Sequence, residues 1–161
     1  MAFVPDGRIG SLGEAELLQF LAAPWNARIA TVDADGWPYV TPVWYEFDVA
    51  ARAFHVVGRA RAVWVAHIAR ERRVALHIAD DGHAEHTRVV VQGLAEVVEG
   101  PLAPAASARI GALTERLALR YLGPGGPTYA ARTAERPRVL ITIRPARWRS
   151  WTGQEWHSRY R

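Results

Sequence analysis

Residues 26–47 place the tightest constraint on how this chain can fold. NARIATV (26–32) and WPYVTPVWYEF (37–47), two runs rich in β-branched and aromatic residues, flank Asp33-Ala34-Asp35-Gly36. An Asp-Gly step supplies the positive φ that a tight hairpin turn requires, so the two runs read as antiparallel strands. Pro38 and Pro42 carry no N–H and lie four apart, hence on one side of the second strand, which suits a sheet edge, a bulge or a barrel seam.

Four more runs read as strands: FHVVG (54–58), RVALHIA (73–79), RVVVQGLAEVV (88–98) and RVLITI (138–143). Helical spacing marks EAELLQFLA (14–22), a lid or plug stopped by Pro24, and ARAVWVAHIARE (60–71), where Trp64 and Ile68 fall four apart. It also marks 103–122, where Ile110, Leu113, Leu117 and Tyr121 form one stripe ended by the Gly-Pro-Gly-Gly-Pro run at 123–127; residues 128–135 add a short helix. Six strands in hairpin-capable order, with too few βα alternations for a doubly wound fold, predict a mainly β protein. The expected architecture is a six-stranded antiparallel barrel with flanking helices. A chain of 161 residues fits one domain: a leading helix (1–25), barrel strands with one helix (26–100), a helical insertion (101–135), and a last strand with a Trp/Arg-rich tail (136–161). Several strands are apolar on both faces, with Tyr39, Val43 and Phe47 opposed to Val40 and Trp44. A small barrel fills only one face, so the other is expected to pack on a second copy in a homodimer.

Composition narrows the chemistry. Cysteine is absent, which excludes disulfides, thiolate nucleophiles and cysteine-ligated metal. All 20 Lys+Arg residues are Arg, so a Schiff-base or Walker-type lysine is excluded and anion binding falls to Arg and backbone N–H groups. Residues 136–161 hold seven arginines against Glu155 alone, and a second cluster (Arg59, Arg61, Arg70, Arg72, Arg73) faces only Glu71. Such clusters suit a nucleic acid or a small phosphorylated ligand. Without an apolar run long enough to cross a bilayer, or a signal-like N-terminus, a cytoplasmic protein with no membrane partner is expected.

Gly58-Arg59-Ala60-Arg61 lies between a strand and a helix, where helix N–H groups and Arg forks can cradle a phosphate; the plain alternative is solvated arginine. Gln92-Gly93 interrupts a strand, as a bulge or a close ligand approach would. The tail from Trp151 to Arg161 sets aromatics beside cations, suited to stacking on a planar ring or to an ordinary frayed end. His83-Ala84-Glu85-His86 sits in a polar loop and is assigned no metal. No Gly-x-Ser-x-Gly is present, and no catalytic acid or base is assigned.

Taken in order, residues 27–48, 54–78, 88–100, 120–126 and 139–151 resemble the pyridoxamine 5′-phosphate oxidase-like family of FMN-binding split barrels, some of which use a deazaflavin. The resemblance implies a dimeric split β-barrel of Greek-key type with the flavin in the cleft between protomers. It assigns the flavin phosphate to Arg59 and Arg61 beside Gly58, and the ring to Thr41, Pro42, Val43 and Trp44. Gln92 would reach the flavin across the dimer, and Trp151 and Arg161 match a terminal Trp and Arg of the oxidase. Two positions depart from the family. Ala62-Val63-Trp64 replaces a Ser-Arg-Lys pattern, and Glu46 stands where a basic residue is expected. Trp64 becomes either a wall of the site or a core residue. The expected function is an FMN-dependent oxidoreductase acting on a small organic substrate. The alternatives are a deazaflavin enzyme, with arginines 70–73 meeting a longer anionic tail, and a non-catalytic barrel holding flavin or haem. Nucleic acid has only the basic tail in its favour, and His157 and Arg159 argue against pyridoxamine phosphate as substrate.

Overall fold

The computed structural model describes residues 12–83 and 86–152. Its elements are α1 (Glu14–Ala22), β1 (Ala27–Val32), β2 (Pro38–Val43), β3 (Glu46–Asp48), β4 (Ala53–Arg59), α2 (Val63–Arg70), β5 (Arg73–Ala79), β6 (Arg88–Leu102), α3 (Ala108–Leu122), α4 (Gly126–Arg132) and β7 (Arg138–Trp151). The strands form one antiparallel sheet in the order β2-β1-β5-β6-β7-β4-β3. Strands β5, β6 and β7 follow one another as a meander, and β4 lies beside β7, which is a Greek key.

Closure follows from the topology. The edge strands β2 and β3 are consecutive in the chain, joined only by Trp44 and Tyr45. Seven strands laid flat would put the edges roughly 29 Å apart. The link from Val43 to Glu46 spans at most about 11 Å, so the sheet must curl until its edges meet.

The sheet therefore has seven strands, not the six expected, because residues 37–47 divide at Trp44-Tyr45. The cause is tertiary. The Tyr121 hydroxyl from α3 accepts the Tyr45 N–H at 3.3 Å and donates to the Trp25 carbonyl at 3.0 Å, so Tyr45 leaves the ladder. Its own ring is fully buried and its hydroxyl donates to the Leu21 carbonyl at 3.2 Å. Other boundaries also move: β6 runs on to Leu102, and the short last helix is Gly126–Arg132 and not 128–135. Helix α2 begins at Val63 because Arg59–Ala62 forms a turn, the Ala62 N–H donating to the Arg59 carbonyl. Helix α3 begins at Ala108, where Ser107 caps it by accepting from the Ile110 N–H at 3.1 Å. Strand β7 runs on through Pro145, which sits opposite Gly93 where β6 bulges.

Alternate residues of the strands fill the barrel: Ile29, Phe54, Val56, Leu76, Ile78, Val89, Val91, Ile141 and Ile143 form one core cluster. Leu17 and Leu21 join it, so α1 is a plug. Its C-terminal carbonyls are held by Arg120 of α3, which donates to Leu21 at 2.7 Å and Ala23 at 2.5 Å, favourable for a cation at a helix C-terminus. Outside the barrel, Ile110, Leu113 and Leu117 of α3 pack on Leu140.

Candidate functional site

Between the barrel wall and the α3–α4 insertion lies a cavity of about 490 Å³. Strand β2 and the link after it bring Thr41, Pro42, Val43 and Trp44; β4 brings Gly58 and Arg59; α2 brings Trp64. Those seven of the eleven residues singled out by sequence thus share one cavity. Trp44 is held as a fixed aromatic face, stacked on Tyr121 at 5.3 Å and 3°. Trp64 is both wall and core: it is 7% exposed within the barrel cluster, and its ring edge covers Gly58, where a Cβ would come within 2.9 Å of Cη2 and Cζ2.

The other four fall elsewhere. Arg61 is exposed and does not line the cavity, since the turn before α2 carries it away from Arg59. Gln92 faces a separate groove of about 520 Å³ on the outer sheet face with Arg73 and Arg147. Trp151 stacks beneath the Arg88 guanidinium at 3.9 Å. Arg161, like the rest of the tail from 153, lies outside the described residues.

Seven further residues complete the lining: Asn26, Val57, Ala62, Thr114, Leu117, Tyr129 and Arg138. Arg138 changes the electrostatics. It pairs directly with Arg59 across β4 and β7, a like-charge arrangement that is unfavourable unless an anion bridges it. Among the described residues neither arginine has a carboxylate partner. Arg138 is 5% exposed; its Nη2 donates to Thr133 Oγ1 at 2.8 Å and to the Tyr129 hydroxyl at 3.5 Å, and its Nε is buried without a partner. A buried guanidinium with an unfilled donor is costly on its own, and this one borders the cavity. Burial pushes the Tyr129 phenol up, but its hydrogen bond to Arg138 and the charges of Arg138 and Arg59 bring it below the ordinary tyrosine value. No side chain caps α2, whose N-cap Ala62 also lines the cavity, so open N–H groups add to the positive field. Sequence held one trace of this: Arg138 opens the last strand. Its register against Arg59 is set by barrel closure.

The departures have structural uses. Glu46 forms a two-point ion pair with Arg116 of α3, at 2.7 and 2.9 Å, which ties the insertion to β3. Arg72 pairs with Glu96 and Arg73 with Glu71, while Arg70 donates to the Val32 carbonyl. These arginines are already engaged. His67 is a satisfied core histidine, its Nδ1 3.0 Å from Thr31 Oγ1. Asp80 is pushed up by burial, but the Gly82 N–H and the His83 ring hold it below the usual carboxylate value. Among the described residues, no three His, Asp or Glu are placed to hold a metal, and no helix is long and apolar enough to cross a membrane.

Residues 14–152 match the pyridoxamine 5′-phosphate oxidase family. No curated protein matches the chain. Among solved structures, a conserved hypothetical protein from Mycobacterium tuberculosis superposes with a TM-score of 0.68 at 24% identity, covering 91% of this chain and 89% of the other. An F420 reductase superposes at 0.64 and 24%, covering 91% and 98%. The heme storage protein HutZ of Vibrio cholerae superposes at 0.64 and 17%, covering 86% and 93%.

Proposed function

Because this chain belongs to the pyridoxamine 5′-phosphate oxidase-like split-barrel family, we propose that it is an oxidoreductase that holds FMN in the cavity beside β4 and β7. One observation carries the reading: Arg59 and Arg138 stand opposed at the cavity, without a carboxylate among the described residues, and Arg138 Nε is buried and unfilled. That donor set fits a phosphate dianion. Arg59, Arg138 and the Tyr129 hydroxyl would hold the phosphate, with Thr41–Trp44 and Trp64 against the ring. When bound, FMN supplies hydride or electron transfer to a small organic substrate. The chain's residues would bind and orient it: Trp44 is braced by Tyr121, and Val43, Val57 and Leu117 give the cavity an apolar wall.

A second copy is part of the reading. Val40, Ala30, Ala75 and Gln92 lie side by side across β2, β1, β5 and β6, and Val40 is 61% exposed. Pairing through this face would bury it and bring Gln92 toward the partner's cavity. A deazaflavin is the second reading, favoured by the likeness to an F420 reductase over 98% of that chain; its longer anionic tail would meet the same arginines.

The test is titration of purified protein with FMN, the deazaflavin cofactor and haem, followed by absorption and fluorescence, in wild type, Arg59→Ala and Arg138→Met. Saturable FMN binding, weakened at least about 10-fold by either substitution, is expected. Tighter deazaflavin binding with the same arginine dependence would select the second reading, and a haem Soret band without flavin binding would make the protein a haem holder. A folded protein that binds none of the three would overturn all of them.

A further inference from the structure

We propose that Thr133 is a positioning residue that fixes the Arg138 guanidinium for the ligand's phosphate while leaving its charge uncancelled. The inference rests on the cofactor reading above. Thr133 is buried and directly follows α4. Its hydroxyl has one hydrogen, which it donates to the Tyr129 carbonyl at 3.0 Å, and its oxygen accepts from Arg138 Nη2 at 2.8 Å. The donated bond polarises the hydroxyl, so its oxygen is a better acceptor for the cation.

The choice of acceptor is what matters. A buried arginine is ordinarily held by a carboxylate, which would orient it equally well but cancel the charge the phosphate needs. Here the holders are two neutral oxygens, Thr133 Oγ1 and the Tyr129 hydroxyl. Tyr129 lies within α4 and Thr133 directly follows it, so the insertion that walls the cavity also aims its buried cation. Arg138 keeps a full positive charge, a fixed head group and an unfilled Nε.

The prediction is a phosphate-specific loss. FMN and riboflavin differ only by the phosphate, so each variant is titrated with both, and thermal midpoints are recorded with and without inorganic phosphate. Thr133→Val, which removes the hydroxyl at constant shape, should weaken FMN about 10-fold and leave riboflavin unchanged. Thr133→Ser should restore FMN binding. Thr133→Asp still accepts from Arg138 and so serves if the valine variant fails to fold; it should lose FMN affinity by a similar or larger factor through charge cancellation. Equal losses for FMN and riboflavin would make Thr133 merely structural, and undiminished FMN binding in Thr133→Asp would overturn the charge argument. Should wild type bind no FMN, the cofactor reading fails separately. Stabilisation by inorganic phosphate that disappears in Thr133→Val and returns in Thr133→Ser would then still support the positioning role, and no response to phosphate would refute it.

Discussion

The contact between Gly58 and Trp64 makes a prediction whose sign depends on background. A Cβ on Gly58 would lie 2.9 Å from Cη2 and Cζ2 of Trp64 and 3.0 Å from a Val65 methyl. Trp64 and Val65 are packed in the barrel core, so ring and methyl yield only by disturbing that packing. Overpacking of this kind costs about 1–3 kcal/mol, and Gly58→Ala should destabilise wild type by that amount. Trp64→Phe deletes three heavy atoms, including the two that crowd Gly58, and should alone cost roughly 2 kcal/mol for lost burial and residual space. In that background the added methyl enters vacated space. The Gly→Ala change also narrows the unfolded ensemble, so Gly58→Ala should become neutral or stabilising by up to about 1 kcal/mol. Urea unfolding of the four proteins reads the cycle, with midpoints moving at unchanged slope. A coupling below about 0.5 kcal/mol would show that Trp64 does not crowd Gly58 and that the cavity wall is not set by this contact.

Gly93→Ala should cost at least about 3 kcal/mol, because its Cβ would fall 2.4 Å from the Arg144 carbonyl oxygen, a backbone atom with no rotamer to yield; thermal unfolding checks it, and a loss under about 1 kcal/mol would contradict the bulge geometry. Arg120→Met removes both hydrogen bonds to the α1 carbonyls and should cost about 2–3 kcal/mol, with hydrogen exchange accelerated in α1 ahead of β6; uniform acceleration would mean that α1 is not separately clamped. Tyr129 should ionise below the ordinary tyrosine value in a 295 nm titration, return toward it in Arg138→Met, and rise when phosphate neutralises the arginines. Burial instead pushes Tyr45 and Tyr121 up. A raised folded-state pKa gives stability that is whole below the unfolded value and lost above it, so urea midpoints should fall above about pH 10, by less in Tyr121→Phe.

Where a segment's own pattern decides its structure, sequence located it well. Residues 14–22 carry their stripe and their proline stop, 73–79 alternate cleanly, and both elements fall on the expected residues. Residues 37–47 did not show their division, because nothing within them breaks the pattern. The break comes from the Tyr121 hydroxyl 76 positions away. The last strand, expected to span 138–143, runs on through Pro145 because Gly93 accommodates it; the sequence marks Gly93 as a bulge or a ligand approach but does not show its partner. The site divides in the same way. Thr41–Trp44, Gly58, Arg59 and Trp64 converge because neighbouring elements carry them. Arg138 and Tyr129 enter through the register of β7 on β4 and the return of α4, which are properties of the closed barrel.

Closure also explains why the cavity lies where it does. In a continuous barrel every strand would be paired on both sides and the wall would offer a ligand only side chains. Here β2 and β3 are the sheet's two edges, separated by the link in which Trp44 turns outward onto Tyr121 while Tyr45 turns into the core. The seam leaves the outer side of β2 free of a strand partner and sets an aromatic face at its end. Proline at 42, within that lining, removes an N–H that would otherwise add to an exposed edge. The α3–α4 insertion then covers the seam and supplies Thr114, Leu117 and Tyr129. Tyr121 therefore has two functions that cannot be separated by design: its hydroxyl opens the ladder at Tyr45, and its ring braces the aromatic face that the opening exposes.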